Sequence, residues 1–317
     1  SDLNNFKKIG LTALAASLVS VSANAGSLTI SGAASMNVGG YSGEGHDGGA
    51  TFSMGNQVTM SGSGELDNGM TVSISYQLDN GTSVPSGPFD DHSVTVSSDA
   101  MGSLTLHGHG GGSATSNMDT TAAGNVWDTF DGIGLATGVT HTNSAPGNNS
   151  LNYTMPTIMD GVAVALSYKP QQSNSSTIDS GTGYAVTYTG VEGLTLVYSS
   201  SDIVGTTGAL SGDQTAWKAS YAYGPVTATV TQSEYDVTTT TSDQDVSSMA
   251  VSYTISDEMS VTYGTETIES TNTGHVDAEY DVIKGSYTAG GMTVSAQRKT
   301  AENVDHSTNN NADLEYW

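Results

Sequence analysis

Residues 251–264 read VSYTISDEMSVTYG: apolar and polar side chains alternate, a few turn-forming residues intervene, and the alternation resumes. Period-two alternation places successive side chains on opposite faces of a strand, so each such segment has one apolar and one polar face. The unit recurs along the chain. It reads DNGMTVSISY at 67–76, DAMGSLTLHG at 99–108, MDGVAVALSY at 159–168, VEGLTLVYSS at 191–200, YGPVTATVTQ at 223–232, DEMSVTYGTE at 257–266 and AGGMTVSAQR at 289–298. Most intervals are about 32 residues or twice that, the length of a hairpin with its loop. Gly, Asp and Asn at the turns supply positive φ or side-chain bonds to the backbone.

Longer polar segments, such as GYSGEGHDGGA, PQQSNSSTIDSGTG and DVTTTTSDQD, separate the units, so short and long connections alternate. With a first strand near 27–38 and a last near 309–317, the pattern predicts about 16 strands. One phase holds Met70, Val72, Ile74 and Tyr76, then Val162, Val164, Leu166 and Tyr168; the other holds Thr71, Ser73, Ser75 and Gln77. A β-sandwich would have to fill a core from the apolar phase, yet the 317 residues include only four Phe and three Trp. A barrel in lipid turns its apolar face outward and encloses a polar lumen, so it needs no bulky core. The fold class is therefore all-β, a transmembrane antiparallel β-barrel, because an open sheet edge in lipid would leave backbone groups without partners.

Tyrosine placement fits a membrane. Tyr153, Tyr188, Tyr221, Tyr253 and Tyr287 recur just before the short turns, and Tyr76, Tyr168, Tyr198 and Tyr263 follow them on the apolar phase. Tyrosine has an apolar ring and a polar tip, which suits the level where acyl chains meet headgroups. At the N-terminus, Lys7 and Lys8 precede the run IGLTALAASLVSV and the small-residue site Ala23-Asn24-Ala25. Residues 1–25 are expected to be a secretory signal peptide, cleaved before Gly26, leaving 26–317 as a single barrel domain. The chain carries 32 acids against 7 bases, a net charge of −25, which excludes nucleic acid as a partner. It has no cysteine, so thiol catalysis and thiolate metal sites are excluded.

The chain resembles the general diffusion porins of Gram-negative bacteria, of the alphaproteobacterial type. The resemblance rests on GSLTISGAASMNVGGY after the signal, the alternating short and long connections, one outsized loop in the first half and the aromatic end DLEYW. It implies a 16-stranded outer-membrane barrel with short periplasmic turns and long external loops, usually trimeric, inserted through its C-terminal strand and passing small hydrophilic solutes by passive diffusion. One departure is that Trp317 is last while Glu315 stands two places earlier, where the family has a second aromatic. One further residue after Trp317 would restore that pattern.

The longest connection runs from about 108 to 148 and matches by order the family loop that folds inward and narrows the pore. Its Asp119, Asp128 and Asp131, beside Trp127 and Phe130, are expected to supply acidic groups at the constriction. Lys169, Lys218, Lys284 and Lys299 fall on the polar phase and are expected to form the facing basic wall, whereas Arg298 falls on the outward phase. His107 and His109 share the polar phase; two imidazoles without a third ligand read as pore lining. No cofactor is expected. Carboxylates at Asp277, Glu279 and Asp281, or at Glu44 and Asp47, could draw calcium to the loops, though no EF-hand pattern is present. No Gly-x-Ser-x-Gly elbow appears, and the chain is not expected to be an enzyme. Many acids and few bases predict cation preference. The alternatives are a secreted or surface acidic β-rich structural protein or adhesin, and a substrate-specific outer-membrane channel.

Overall fold

The structure is a computed structural model. It describes residues 28–43, 45–79, 89–118, 121–131, 133, 146–170, 178–205, 211–238, 243–308 and 313–317. In chain order the strands begin with β1 (Thr29–Gly39), β2 (Tyr41–Gly43), β3 (His46–Asp47), β4 (Thr51–Glu65), β5 (Thr71–Asp79), β6 (Asp91–Ser98) and β7 (Gly102–His109). Next come β8 (Gly111–Gly112), β9 (Pro146–Gly147), β10 (Ser150–Thr154), β11 (Val162–Lys169), β12 (Ile178–Tyr188), β13 (Leu194–Gly205) and β14 (Gly212–Tyr223). The series ends with β15 (Val226–Val237), β16 (Gln244–Thr254), β17 (Met259–Ser270), β18 (Ala278–Ala289), β19 (Met292–Glu302) and β20 (Leu314–Tyr316). No helix among the described residues is long and apolar enough to cross a membrane.

Two compact units are present. The first comprises the chain up to Ser35, Met54–Gly111 and Gly147–Pro156; the second comprises Met36–Ser53, Gly112–Pro146 and Thr157–Trp317. In the first unit β4, β5, β6, β7 and β10 pair antiparallel in that order. Thr95 and Thr105 meet at 2.8 Å on one face, while Val94, Val96, Leu104 and Leu106 occupy the other. Tyr76 and Tyr153 lie on that apolar face: Tyr76 packs on Phe89 with ring centroids 5.1 Å apart, and the Tyr153 hydroxyl donates to Met101 O at 2.7 Å.

In the second unit β11 to β19 form a continuous antiparallel meander, extended by β20, β2 and β3. Its short turns are glycine-dependent where two strands start together. Gly193 has φ +76 and accepts a bond from Ala222 N at 2.8 Å, and a Cβ there would collide with the Ala222 carbonyl. The apolar phase of this sheet is exposed along its length, with Leu166, Val186, Leu196, Val230, Met249, Val251 and Ile283 among its members. Tyr168, Tyr188, Tyr198, Trp217, Tyr221, Tyr253, Tyr263 and Tyr287 share that exposure. An apolar surface so extensive needs an apolar solvent. The opposite, inner face carries the hydroxyls and the long connection.

One expectation needs correction. The polar phase is not polar throughout. Following the pairing from β13 to β18, one inner row reads Ser199, Ala216, Ser233, Val246, Ile268 and Ala278. From β16 onward the inner face becomes apolar near its loop end, and Val246, Ile268, Ala278, Tyr280, Val282 and Ala301 form a buried cluster with Val304 and Leu314. A lipid-facing sheet does after all enclose a small core, because something on that face must be held in place.

Candidate functional site

That object is the long connection. Within the second unit, its residues 113–118 and 121–131 lie along the inner face and meet one strand after another. Ala114 N donates to Ser167 Oγ of β11 at 2.8 Å, and the Thr115 and Ser201 hydroxyls meet at 2.7 Å. Ser199 Oγ donates to Met118 Sδ at 3.0 Å. Ala122 N donates to Thr231 Oγ1 of β15 at 3.1 Å, and Ala123 N to Ser248 Oγ of β16 at 2.9 Å. Serines and threonines at successive inner positions thus supply the acceptors that an irregular backbone, lacking a ladder of its own, requires.

The belt ends in a 3₁₀ turn, Val126–Thr129, entered through Asn125 in the left-handed region at φ 56. Thr121 Oγ1 fixes that entry by donating to Asn125 Oδ1 at 3.0 Å and accepting from Asn125 N at 2.6 Å. The first amides of a helical turn lack intrahelical partners. Here Glu266 of β17 takes both: Val126 N donates to Oε1 at 2.8 Å and Trp127 N to Oε2 at 3.0 Å. Glu266 is 1 % exposed, so these charge-assisted bonds are shielded from competing solvent.

Beyond the turn, Phe130 is 0 % exposed and enters the apolar cluster together with Val126 and Trp127. Its ring stands edge-on to Tyr41 at 6.2 Å and lies 6.1 Å from Tyr280. Tyr41 in turn donates its hydroxyl to Thr129 O at 2.7 Å, and Lys299 Nζ donates to Thr129 Oγ1 at 2.6 Å. Gly264 sits under the loop, where a Cβ would approach Ala123 Cβ to 2.7 Å. Gly264→Ala is therefore expected to lift Ala123 and lengthen its bond to Ser248; faster hydrogen exchange at the Ala123 amide would show it, and unchanged exchange would count against close seating.

The sequence-predicted residues fall as follows. Asp128 and Asp131 are exposed on the docked loop; Asp119 lies outside the described residues. Lys169, Lys218, Lys284 and Lys299 occupy the inner face, ranging from Lys169 at 5 % exposure to the exposed Lys284. In the first unit, His107 follows the hydroxyl phase opposite Ser93, and His109 Nδ1 lies 3.3 Å from Asp91 Oδ1. Arg298 is on the outer face, paired with Glu315 at 2.7 Å. Glu44 lies outside the described residues, Asp277 lies in a connection, and Glu279 and Asp281 are on the outer face of β18. Among the described residues no group of three or more His, Asp or Glu side chains is arranged to hold a metal.

Two features of the site are not among the sequence-predicted residues. Glu266 is one, although a lone carboxylate on the phase of Ser260, Thr262 and Gly264 is a usable signal. The second is charge segregation. Asp202 pairs with Asp213 and Asp213 with Asp236; Glu234 pairs with Asp245 and Asp245 with Glu269, all on the outer face near the loop ends. On the described inner face of β11 to β19 the bases are lysines and the one carboxylate is Glu266.

These features define a membrane-embedded β-sheet protein whose polar face carries a fixed internal loop. A family-wide sequence profile described as Gram-negative porin matches residues 10–306, and the chain belongs to that family. The anion-selective porin from Comamonas acidovorans superposes with a TM-score of 0.67 at 14 % identity, covering 92 % of this chain and 97 % of that one. A porin refined at 1.8 Å resolution gives 0.64 at 17 % identity, covering 92 % and 98 %. A mutant of the Rhodobacter blastica porin gives 0.62 at 16 %, covering 92 % and 97 %. At these identities the likeness shows the fold, an antiparallel transmembrane β-barrel. No curated protein matches the sequence. The protein is a non-enzymatic outer-membrane channel for diffusion.

Proposed function

We propose that the channel passes small hydrophilic solutes through a constriction made by the docked loop, with Asp128 and Asp131 facing a wall that carries Lys169, Lys218, Lys284 and Lys299. The observation that supports this reading is the belt of bonds from Ala114 to Thr129, which docks the segment bearing the exposed Asp128 and Asp131 on the inner face. General rather than sugar-specific passage is supported by burial of Tyr235 and Tyr280, the described aromatics on the inner face of β11 to β19. On this reading residues 1–25 are removed as a signal, and the barrel that follows assembles as a homotrimer, inserted by machinery that reads its C-terminal strand.

The excess of carboxylates makes the mouth negative and concentrates cations there. The preference is modest, because the strand-borne acids of the second unit sit mostly on the outer face and the wall bases oppose it. The test is the reversal potential of purified protein in a planar bilayer under a salt gradient. Cation preference is expected, and Asp128→Asn with Asp131→Asn is expected to lower the cation-to-anion permeability ratio about two-fold. Anion preference in the unaltered protein, or no change in the double variant, would sink the assignment of these aspartates.

A further inference from the structure

Two loop-end connections of the second unit, 271–277 and 303–308, are joined by contacts that involve two histidines. His306 Nδ1 donates to Val276 O at 2.8 Å, Val276 N donates to His306 O at 3.2 Å, and Asn303 Nδ2 donates to Asp277 O at 3.1 Å. The His275 and His306 rings stack at 4.8 Å with planes 18° apart, and His275 Nδ1 lies 2.9 Å from Ser270 Oγ. His306 is 6 % exposed, and its Nε2 is buried without a hydrogen-bond partner. The backbone is strained: Asn303, Asp305 and His306 all have φ between 53 and 61. Between them Val304 is fully buried in the cluster that also holds Val126, Trp127 and Phe130. The same short segment therefore joins two external connections and covers the seat of the constriction loop.

We propose that His275 and His306 form an acid-opened clasp, and that its opening loosens the constriction loop and reduces conductance. The seated form requires neutral His306, because Nδ1–H is committed to Val276 O while Nε2 has no acceptor for a second proton. Histidine is the side chain that changes charge between about pH 5 and 8. Protonating both rings would stack two cations face to face. Burial pushes the His306 imidazole below its ordinary value, and the His275 ring acts in the same direction; the Val276 carbonyl, Asp305 and Asp277 oppose this without overcoming it. The sign follows. Above the ordinary histidine value the clasp is fully favoured, and as pH falls below about 6.5 the open form binds the proton first. The open-to-closed ratio then rises at most about tenfold per pH unit until the seated ring is itself protonated. An opened clasp withdraws Val304 from the cluster that seats Phe130, and a loop released from the wall obstructs the path.

The conductance consequence rests on the diffusion-channel reading; the clasp does not. The test uses full-length mature protein in two assays, comparing it with His306→Asn, which keeps a donor near Nδ1, tolerates the left-handed backbone and cannot take a proton. Hydrogen exchange at pH 5 and pH 7.5, with each variant compared at the same pH, should show amides 271–277 and 303–308 opening at pH 5 in the unaltered protein alone. Mean single-channel conductance should fall about two-fold over the same range and stay level in His306→Asn. Equal exchange in both variants at pH 5 would overturn the clasp. Opening without a change in conductance would overturn its link to the loop, and absence of current at every pH would reject the channel reading while leaving the clasp standing.

Discussion

Glu266→Ala is expected to turn a steady channel into a fluctuating one. The substitution removes both acceptors from Val126 N and Trp127 N, at the point where the belt changes from hydroxyl contacts to an apolar anchor. Hydrogen bonds to a charged acceptor each contribute about 1.5–3 kcal/mol. Because the freed amides can regain water from the lumen, the net loss of loop anchoring should be about 3 kcal/mol. That raises the undocked population roughly a hundredfold, since about 1.4 kcal/mol is a factor of ten. Single-channel records should show open-channel noise and substates at constant voltage, and the Val126 and Trp127 amides should exchange faster. Glu266→Gln keeps one acceptor but points a donor at the other amide, so an intermediate effect is expected. A quiet channel of unchanged conductance in Glu266→Ala would mean that the hydroxyl contacts suffice.

How much of this was legible follows from what each residue has to satisfy. Period-two alternation is imposed on every strand by the contrast between lipid and water, so the faces of Tyr168, Tyr198, Lys218 and Lys299 could be read from spacing alone. Glu266 obeys the same alternation, but its role depends on amides about 140 residues away. No local pattern encodes that meeting. The apolar row Val246, Ile268 and Ala278 was hidden for a related reason: on the polar phase an apolar residue is explained only by what docks on it. The acid-on-acid pairs are legible only in register. Asp213 opposite Asp202 and Asp236 becomes apparent when three strands are aligned, and a one-residue slip would have moved it to the inner face.

The outer carboxylates alter what net charge can say about permeation. A charge on the outer face is separated from the inner face by the sheet, whereas Lys299 lies on the inner face and Asp128 on the loop docked there, where the proposed path runs. Directly opposed like charges destabilise a sheet, so the outer row weakens it while adding little to the potential on the inner face. Composition therefore bounds the potential at the mouth, and only the placement of residues fixes it at the constriction.

Phe130→Ala separates the two ways in which the loop is held. The side chain is fully buried among Tyr41, Tyr280 and the β16–β19 cluster, and such truncations cost about 3–5 kcal/mol. Unlike Glu266→Ala it leaves every hydrogen bond of the belt available, so its effect isolates the apolar seat. Thermal unfolding in detergent should shift downward, and Phe130→Leu should recover most of the loss because it restores volume without the ring. Both residues act on one docked segment, so their effects cannot be independent. Once the turn has left the wall, removing its second anchor costs little, and the double variant Glu266→Ala with Phe130→Ala should fall short of the summed single effects by more than about 0.5 kcal/mol. Strict additivity would show that the carboxylate and the aromatic hold separate parts of the loop, and a single docked unit would then be the wrong description of the constriction.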